Sequence, residues 1–507
     1  MNKKIAYTLL VLAVAIFLWQ TLKFPLTSPS VTGGEAEASN ATLKFLNNIK
    51  HGECQYITFL GRRFPINIGK RHGALEIYVM APFVALSDFR LERIRIVTVL
   101  FAVLTIIFVF ILAKVLFNRT IAVISVILIA INQYFIVMMR FSITWGLTVQ
   151  LFSVIPVLLM YKFYTTKKQS FFYWGMFMLG LGLNARGHYV WFIFGFLVSA
   201  YLFFRHFMNN KKRILFFGCC FFFIGCLPVL LHYASDPGFK KFVMYNFPIT
   251  HGYSLVSNKE FVNNTHFFQN LILRFDHILR IVFNARGNGS YRLPYFLLFG
   301  ACVSLTFYKF FRKRPHSFNK RRILFIFSLF VLTLVGSCVT FTLIRDEHLL
   351  MLTPYVVIIV AVMIYEMFKD NIFYVSRPLS VIFLSTIIFS NITSTEKFLP
   401  TPDDNLSFVT QWLIKNNVKK VIASNYIIDM GIEFYSGLKL DPYPCPTWRE
   451  ENKKKICKKI IENSKSDVAF VARKGPIRTA FNKLLKRTGK TMHEALDTGG
   501  YIVYVIE

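Results

Sequence analysis

The chain is 507 residues long, 54% hydrophobic and 17% charged, with a formal net charge of +33 and a mean hydropathy of +0.47. This composition excludes a soluble globular protein, because many runs reach the roughly 18–20 apolar residues that cross a hydrocarbon core. Nucleic acid is excluded as a partner, since the basic residues divide between both predicted faces of the membrane. Basic cytoplasmic loops facing anionic lipid account for part of the excess charge. The rest lies in segments predicted on the other face and points to an anionic ligand such as a phosphate.

In chain order, the first hydrophobic run, Ile5–Leu22, follows Met1-Asn2-Lys3-Lys4. It is longer than the about 7–15 residues of a signal-peptide core, and no A-x-A cleavage site follows. The run is therefore read as an uncleaved first helix with its N-terminus in the cytoplasm. A long polar loop, residues 24–92, comes next. It opens with GGEAEASNATLKFL, which carries Glu35 and Glu37 at the start of a helical stretch. Carboxylates are favoured at a helix N-terminus, which is the structural reading. The functional reading is a general base that takes a proton from an acceptor hydroxyl or amine. Residues two apart on a helix do not share a face, so at most one of the two points into a site.

The loop continues through Gly69-Lys70-Arg71-His72-Gly73-Ala74-Leu75-Glu76, after which about a dozen apolar residues stop before Asp88. That length predicts an interfacial helix rather than a span. Glu76 inside it is costly unless paired. It either snorkels into a salt bridge, orients substrate, or partners Lys70 or Arg71.

Further runs centre near residues 105, 128, 153, 178, 198, 222, 302, 333, 358 and 386, for about eleven spans in all. Starting inside, the short cytoplasmic loops then carry Lys167-Lys168, Arg205 with Lys211-Lys212-Arg213, and Arg312-Lys313-Arg314 with Lys320-Arg321-Arg322. This obeys the positive-inside rule and places the C-terminus outside, with the first loop. A set of basic residues then falls at the outer ends of spans: Arg140, Arg186 with His188, Arg286, and Arg345 with His348. Singly, each reads as a snorkelling side chain. Converging, they make a phosphate site, since Arg grips phosphate oxygens bidentately.

The sequence divides into a membrane unit, residues 1–393, and an extracytoplasmic unit, residues 394–507. In the second, DDNLSFVTQWLIKNNV reads as a helix, KKVIAS as a strand, Ile427–Tyr435 and Glu450–Asn463 as helices, DVAFVAR as a strand, TAFNKLLKR as a helix and YIVYVIE as a strand. Alternation of strand and helix predicts a small α/β domain with a mainly parallel sheet. Cys445 and Cys457 lie in this unit as two thiols or one disulfide. The triplets Asn40-Ala41-Thr42, Asn263-Asn264-Thr265 and Asn405-Leu406-Ser407 fit the N-glycosylation pattern. There is no Walker A element, no H-E-x-x-H or Cys/His ligand spacing and no G-x-S-x-G element.

The acidic first loop, the stretch GRRFPINIGKRHGALEIYVMAPFVAL, the tract LAKVLFNRTIA and the turn RDEHLLMLTP together resemble the membrane-embedded GT-C glycosyltransferases of the family-39 type. These include the protein O-mannosyltransferases and the lipid A aminoarabinose transferases. The resemblance covers about residues 1–393. It implies a polytopic helical GT-C-like fold, a polyprenyl-phosphate-linked sugar as donor, a lipid, glycan or protein acceptor, an active site on the outer face and inversion at the anomeric carbon. In that family the catalytic acid lies in the first outer loop, in an Asp-Glu pair. Here the pair falls on Gly34-Glu35, with Glu37 two residues on, so the Asp is missing and either glutamate is a candidate. The resemblance places Arg186 near a position often held by Lys, and Arg345 or His348 against the lipid phosphate. No divalent metal is expected, because no carboxylate cluster is evident. The rival readings are a transporter or flippase for lipid-linked glycans and a non-catalytic scaffold. A transporter is expected to place ionisable residues near span midpoints.

Overall fold

The computed structural model describes residues 1–24, 26, 33–50, 54–68, 72–87, 90–141, 148–208, 212–234, 267–283, 292–312, 318–338, 346–369, 375–398, 405–424, 426–440, 442–444, 451–463, 468–473, 489–498 and 500–506. Helix α1 (Lys3–Leu22) starts behind Asn2, whose side chain accepts from the Lys4 N–H. Helix α2 (Gly33–Leu46) lies in the first loop. Two antiparallel hairpins follow: β1 (Tyr56–Phe59) with β2 (Arg62–Pro65), and β3 (Asn67–Ile68) with β4 (His72–Gly73). The first turns at Leu60 and Gly61, both at positive φ, 49° and 74°, as a tight two-residue hairpin requires. These strands have two to four residues, too few to carry a period, so the sequence gives no signal for them.

Helix α3 (Leu75–Ala85) has 11 residues. At 1.5 Å per residue it is about 16 Å long, half the roughly 30 Å of a hydrocarbon core. Its length agrees with the short apolar helix that the pattern predicts. The bundle continues with α4 (Leu91–Leu116), α5 (Arg119–Ile131), α6 (Gln133–Phe141), α7 (Val149–Thr166), α8 (Gln169–Ala185), a 3-10 turn over Gly187–Tyr189, α9 (Val190–Met208) and α10 (Lys212–Ala234). Then come α11 (Phe267–Phe283), α12 (Arg292–Arg312), α13 (Phe318–Cys338), a second 3-10 segment over Asp346–Leu352, α14 (Thr353–Lys369) and α15 (Ser376–Phe398).

A helix stands at each hydrophobic run, but the count of spans differs from expectation. Among the described residues six helices are long and apolar enough to cross a membrane, or seven if α5 and α6 form one broken span. The others fall short of a span in apolar length or in mean hydropathy over the described residues. The break between α5 and α6 is 58° and has a local cause. Asn132 leaves the helical region at φ −68°, ψ 110°, and its Oδ1 accepts from the Phe135 N–H at 2.8 Å. The side chain thus caps a new helix where the old one ends.

Helix α11 lies between the hydrophobic runs near residues 222 and 302, where no helix was expected. Its buried stripe, Asn270, Arg274, Ile278 and Val282, recurs every four residues, so it is amphipathic and fails a test of mean hydropathy. Its C-terminal carbonyls meet the α5–α6 break. Asn132 Nδ2 donates to Ile281 O at 2.6 Å and Asn391 of α15 donates to Val282 O at 2.9 Å. The Gln133 N–H donates to Asn391 Oδ1 at 2.9 Å. Orphan backbone groups away from water are costly, and these two asparagines satisfy them.

The C-terminal unit comprises α16 (Leu406–Lys415), β5 (Lys420–Ala423), α17 (Tyr426–Tyr435), β6 (Pro442–Pro444), α18 (Glu451–Glu462), β7 (Val468–Arg473), β8 (Met492–Asp497) and β9 (Tyr501–Ile506). The sheet order is β6-β5-β7-β9-β8. It is mixed rather than mainly parallel: β5 pairs parallel with β6 and β7, whereas β9 pairs antiparallel with β7 and β8. The antiparallel edge arises because β8 and β9 are joined by a short connection, and a parallel pair needs a long crossover. Side chains alternate between faces. Val421 and Val471 join a core with Val409 and Leu413 of α16 and Ile428 and Ile432 of α17. Ile422 and Phe470 join another with Cys457 and Ile461 of α18. The first core also takes in Ala36 of α2 and Leu91 of α4, so the sheet unit sits directly on the first loop. The stretch TAFNKLLKR and Cys445 lie outside the described residues.

Candidate functional site

Helix α2 is held from both sides. Toward the bundle, Glu35 is fully buried against Arg95, the fifth residue of α4. Arg95 Nε donates to Glu35 Oε1 at 2.9 Å and its NH2 to Oε2 at 2.8 Å, a bidentate pair. Arg95 NH1 also donates to Leu26 O at 2.6 Å. Arg140, at the last turn of α6, is buried beside the pair and interacts electrostatically with both partners. Its NH1 donates to Thr21 O at 2.7 Å at the end of α1. Toward the sheet unit, Asn40 Nδ2 donates to Met430 O and Glu433 Oε2, both at 2.9 Å, and Lys44 pairs with Glu433. Glu37 lies between these anchors and is partly exposed.

The two glutamates therefore differ in burial. Glu35 gives both oxygens to one guanidinium, and such a pair fixes the geometry of both side chains. Glu37 keeps access to solvent on the same helix.

A second cluster forms where the first loop meets the ends of α8 and α14. Gly73 of β4 packs on Asn184, and a Cβ at Gly73 would collide with the Asn184 backbone, so only glycine permits the approach. Three residues on, Glu76 is 2% exposed. Among the described residues its Oε1 has no hydrogen-bond partner. Burial pushes its carboxyl up to about 8, against the opposing pull of Arg186. Arg186 and His188 are buried on the turn between α8 and α9. Tyr189 holds that turn by donating from its hydroxyl to Phe152 O at 2.6 Å. The His188 ring packs against His348, centroids 4.1 Å apart and near perpendicular, and against Trp191 at 5.1 Å. Glu76, Arg186, His188 and His348 are thus brought together from three separate stretches of sequence.

Of the remaining sequence candidates, Lys70, Arg71, Arg286 and Arg345 lie outside the described residues, as does the side chain of His72. Among the described residues no group of three His, Cys, Asp or Glu side chains is placed to hold a metal. Sequence reasoning missed Arg95, Asn40 and Glu433. Arg95 had a signal: an arginine inside LERIRIVTVLF demands a buried partner. Asn40 and Glu433 had none.

With this geometry in view, the likeness to known proteins is informative. A family model described as dolichyl-phosphate-mannose-protein mannosyltransferase matches residues 71–232. The sequence matches no curated protein. Among solved structures, ArnT from Cupriavidus metallidurans, bound to undecaprenyl phosphate, superposes with a TM-score of 0.65 at 11% identity over 99% of this chain and 98% of its own. The oligosaccharyltransferase AglB from Archaeoglobus fulgidus, in complex with an inhibitory peptide and a dolichol-phosphate, gives 0.55 at 12% identity over 96% of this chain and 69% of its own. The chain has the GT-C fold of these membrane glycosyltransferases.

Proposed function

We propose that the chain is a glycosyltransferase that moves a sugar from a polyprenyl-phosphate carrier to a lipid, glycan or protein acceptor at the outer face of the membrane. The carrying observation is the state of α2 within a GT-C fold. It is pinned at Glu35 to the bundle and at Asn40 to the sheet unit, and it presents Glu37 between them. In this reading Glu37 is the general base. It takes the proton from the acceptor hydroxyl or amine as that group attacks the anomeric carbon. The bond from that carbon to the phosphate oxygen breaks, and the electron pair leaves with the polyprenyl phosphate. Attack from the opposite side inverts the configuration.

The leaving phosphate needs positive charge rather than an acid. Arg186 supplies it beside His188 and His348, with His72 and the loop residues Lys70, Arg71, Arg286 and Arg345 as further contributors. Glu76, neutral below about 8, presents an O–H rather than a repelling carboxylate to that phosphate. No divalent ion is invoked. The N-terminus then lies in the cytoplasm, and α2 and the sheet unit lie outside.

The deciding experiment is sugar transfer from polyprenyl-phosphate donors by purified protein in lipid. Glu37→Gln is expected to lower turnover on the order of 10²–10⁴-fold with donor affinity kept. Glu35→Gln is expected to lower the melting temperature first. If no donor gives transfer while vesicles carrying the protein move a lipid-linked glycan across the bilayer, the transporter reading takes its place.

A further inference from the structure

The membrane bundle carries a second charged site at its other end. Nineteen residues of α4 separate Arg95 from Lys114, a rise of about 28 Å, close to the thickness of a hydrocarbon core. At that remote end an open cleft of about 700 Å³ lies among α1, α4 and α5, within the range of roughly 300–1,000 Å³ of ligand sites. Its wall holds Lys3, Tyr7, Lys114, Asn118, Arg119 and Thr120, and no carboxylate among the described residues. The cations converge: Lys3, Lys114 and Arg119 all act on the Tyr7 hydroxyl. Lys114 Nζ donates to Tyr7 Oη at 3.1 Å and lies over the rings of Tyr7 and Phe110 at 5.3 and 5.6 Å. Tyr7 Oη accepts that bond and keeps its own O–H to give. Farther along the same helices, Val11 and Leu12 of α1 and Leu100 and Leu104 of α4 are exposed apolar side chains, of the kind acyl chains cover.

We propose that this cleft binds the phosphate headgroup of an anionic phospholipid in the leaflet remote from α2. Three cations, a hydroxyl donor and a side-chain amide around an open cavity match a phosphodiester, and the exposed apolar side chains farther along α1 and α4 suit its chains. Lys114 and Arg119 lie in the tract LAKVLFNRTIA, which the proposed chemistry does not use. The site therefore stands or falls independently of the glycosyltransferase reading.

The test is native mass spectrometry of the full chain released from mixed micelles of phosphatidylglycerol and phosphatidylcholine, beside a Lys114→Gln/Arg119→Gln variant. Each basic residue near an anionic headgroup contributes about fivefold. The wild-type preference for phosphatidylglycerol is therefore expected to fall about 25-fold in the double variant. Equal retention of the two lipids by wild type, or a preference that survives in the variant, overturns the proposal. So does full displacement of the lipid by inorganic phosphate, which would make the cleft a site for the free ion. If the double variant melts early, Lys114→Arg, which keeps the charge, must retain phosphatidylglycerol as wild type does; failure there also overturns the proposal.

Discussion

At the scale of single residues, Glu35 and Arg95 form a fully buried bidentate charge pair. Replacing one member leaves the other buried without its bidentate partner, at a cost of about 3–5 kcal/mol. Arg95→Met is therefore expected to lower the melting temperature in lipid sharply. A Glu35→Leu/Arg95→Met double variant should recover much of that loss, because no charge is then stranded. An additive double variant would count against the pair. Glu76 behaves in the opposite sense. Its carboxyl is raised from the ordinary 4.5 to about 8, so the folded chain binds a proton that the unfolded chain releases. Its contribution is fully present below about 4.5 and is lost as pH rises through about 8. Stability should therefore fall across that window in wild type, and Glu76→Gln should flatten the profile in melting scans. The sequence exposed both glutamates as unusual, but spacing alone did not say that Glu35 is held by a guanidinium from α4. That contact needs Arg95, which lies 60 residues on from Glu35.

At the scale of elements, hydropathy located the helices and misjudged their form. The pattern of apolar runs found α1, α4, α5, α7 and the rest, because burial in lipid needs only composition and length. It passed over the break at Asn132 and the amphipathic α11, since both depend on one or two polar side chains set against carbonyls from distant helices. Asn391→Leu removes the donor to Val282 O and the acceptor for the Gln133 N–H. With about 1–3 kcal/mol for each stranded buried group, the variant should melt earlier than wild type, and amide exchange should quicken at residues 132–135. Unchanged exchange there would show that the bend is held by other contacts. Gly73→Ala tests a different joint. The added methyl must push β4 off Asn184, so turnover should drop while the sheet unit keeps its own far-UV signal.

At the scale of the whole molecule, α2 is the part shared by the bundle and the sheet unit. Alternation in the last hundred residues marked an α/β unit, yet nothing local could announce its seat, because Asn40 and Glu433 are 393 residues apart. Glu433→Leu keeps the helical stretch of α17 and removes the acceptor for Asn40 and Lys44. Misplacing a catalytic group by about 1 Å costs up to about 10²-fold, so turnover should fall roughly tenfold to a hundredfold with donor affinity nearly unchanged. A matching loss of donor affinity would make Glu433 a binding residue instead. The same contact bears on the triplet Asn40-Ala41-Thr42. Its asparagine is fully buried with its amide nitrogen committed to α17, whereas Asn405 is exposed. In a secretory host, a sugar chain on Asn40 would mark molecules whose last domain arrived too late. Its occupancy, read as a band shift on a gel, would clock the docking of the C-terminal unit against the oligosaccharide machinery of the cell.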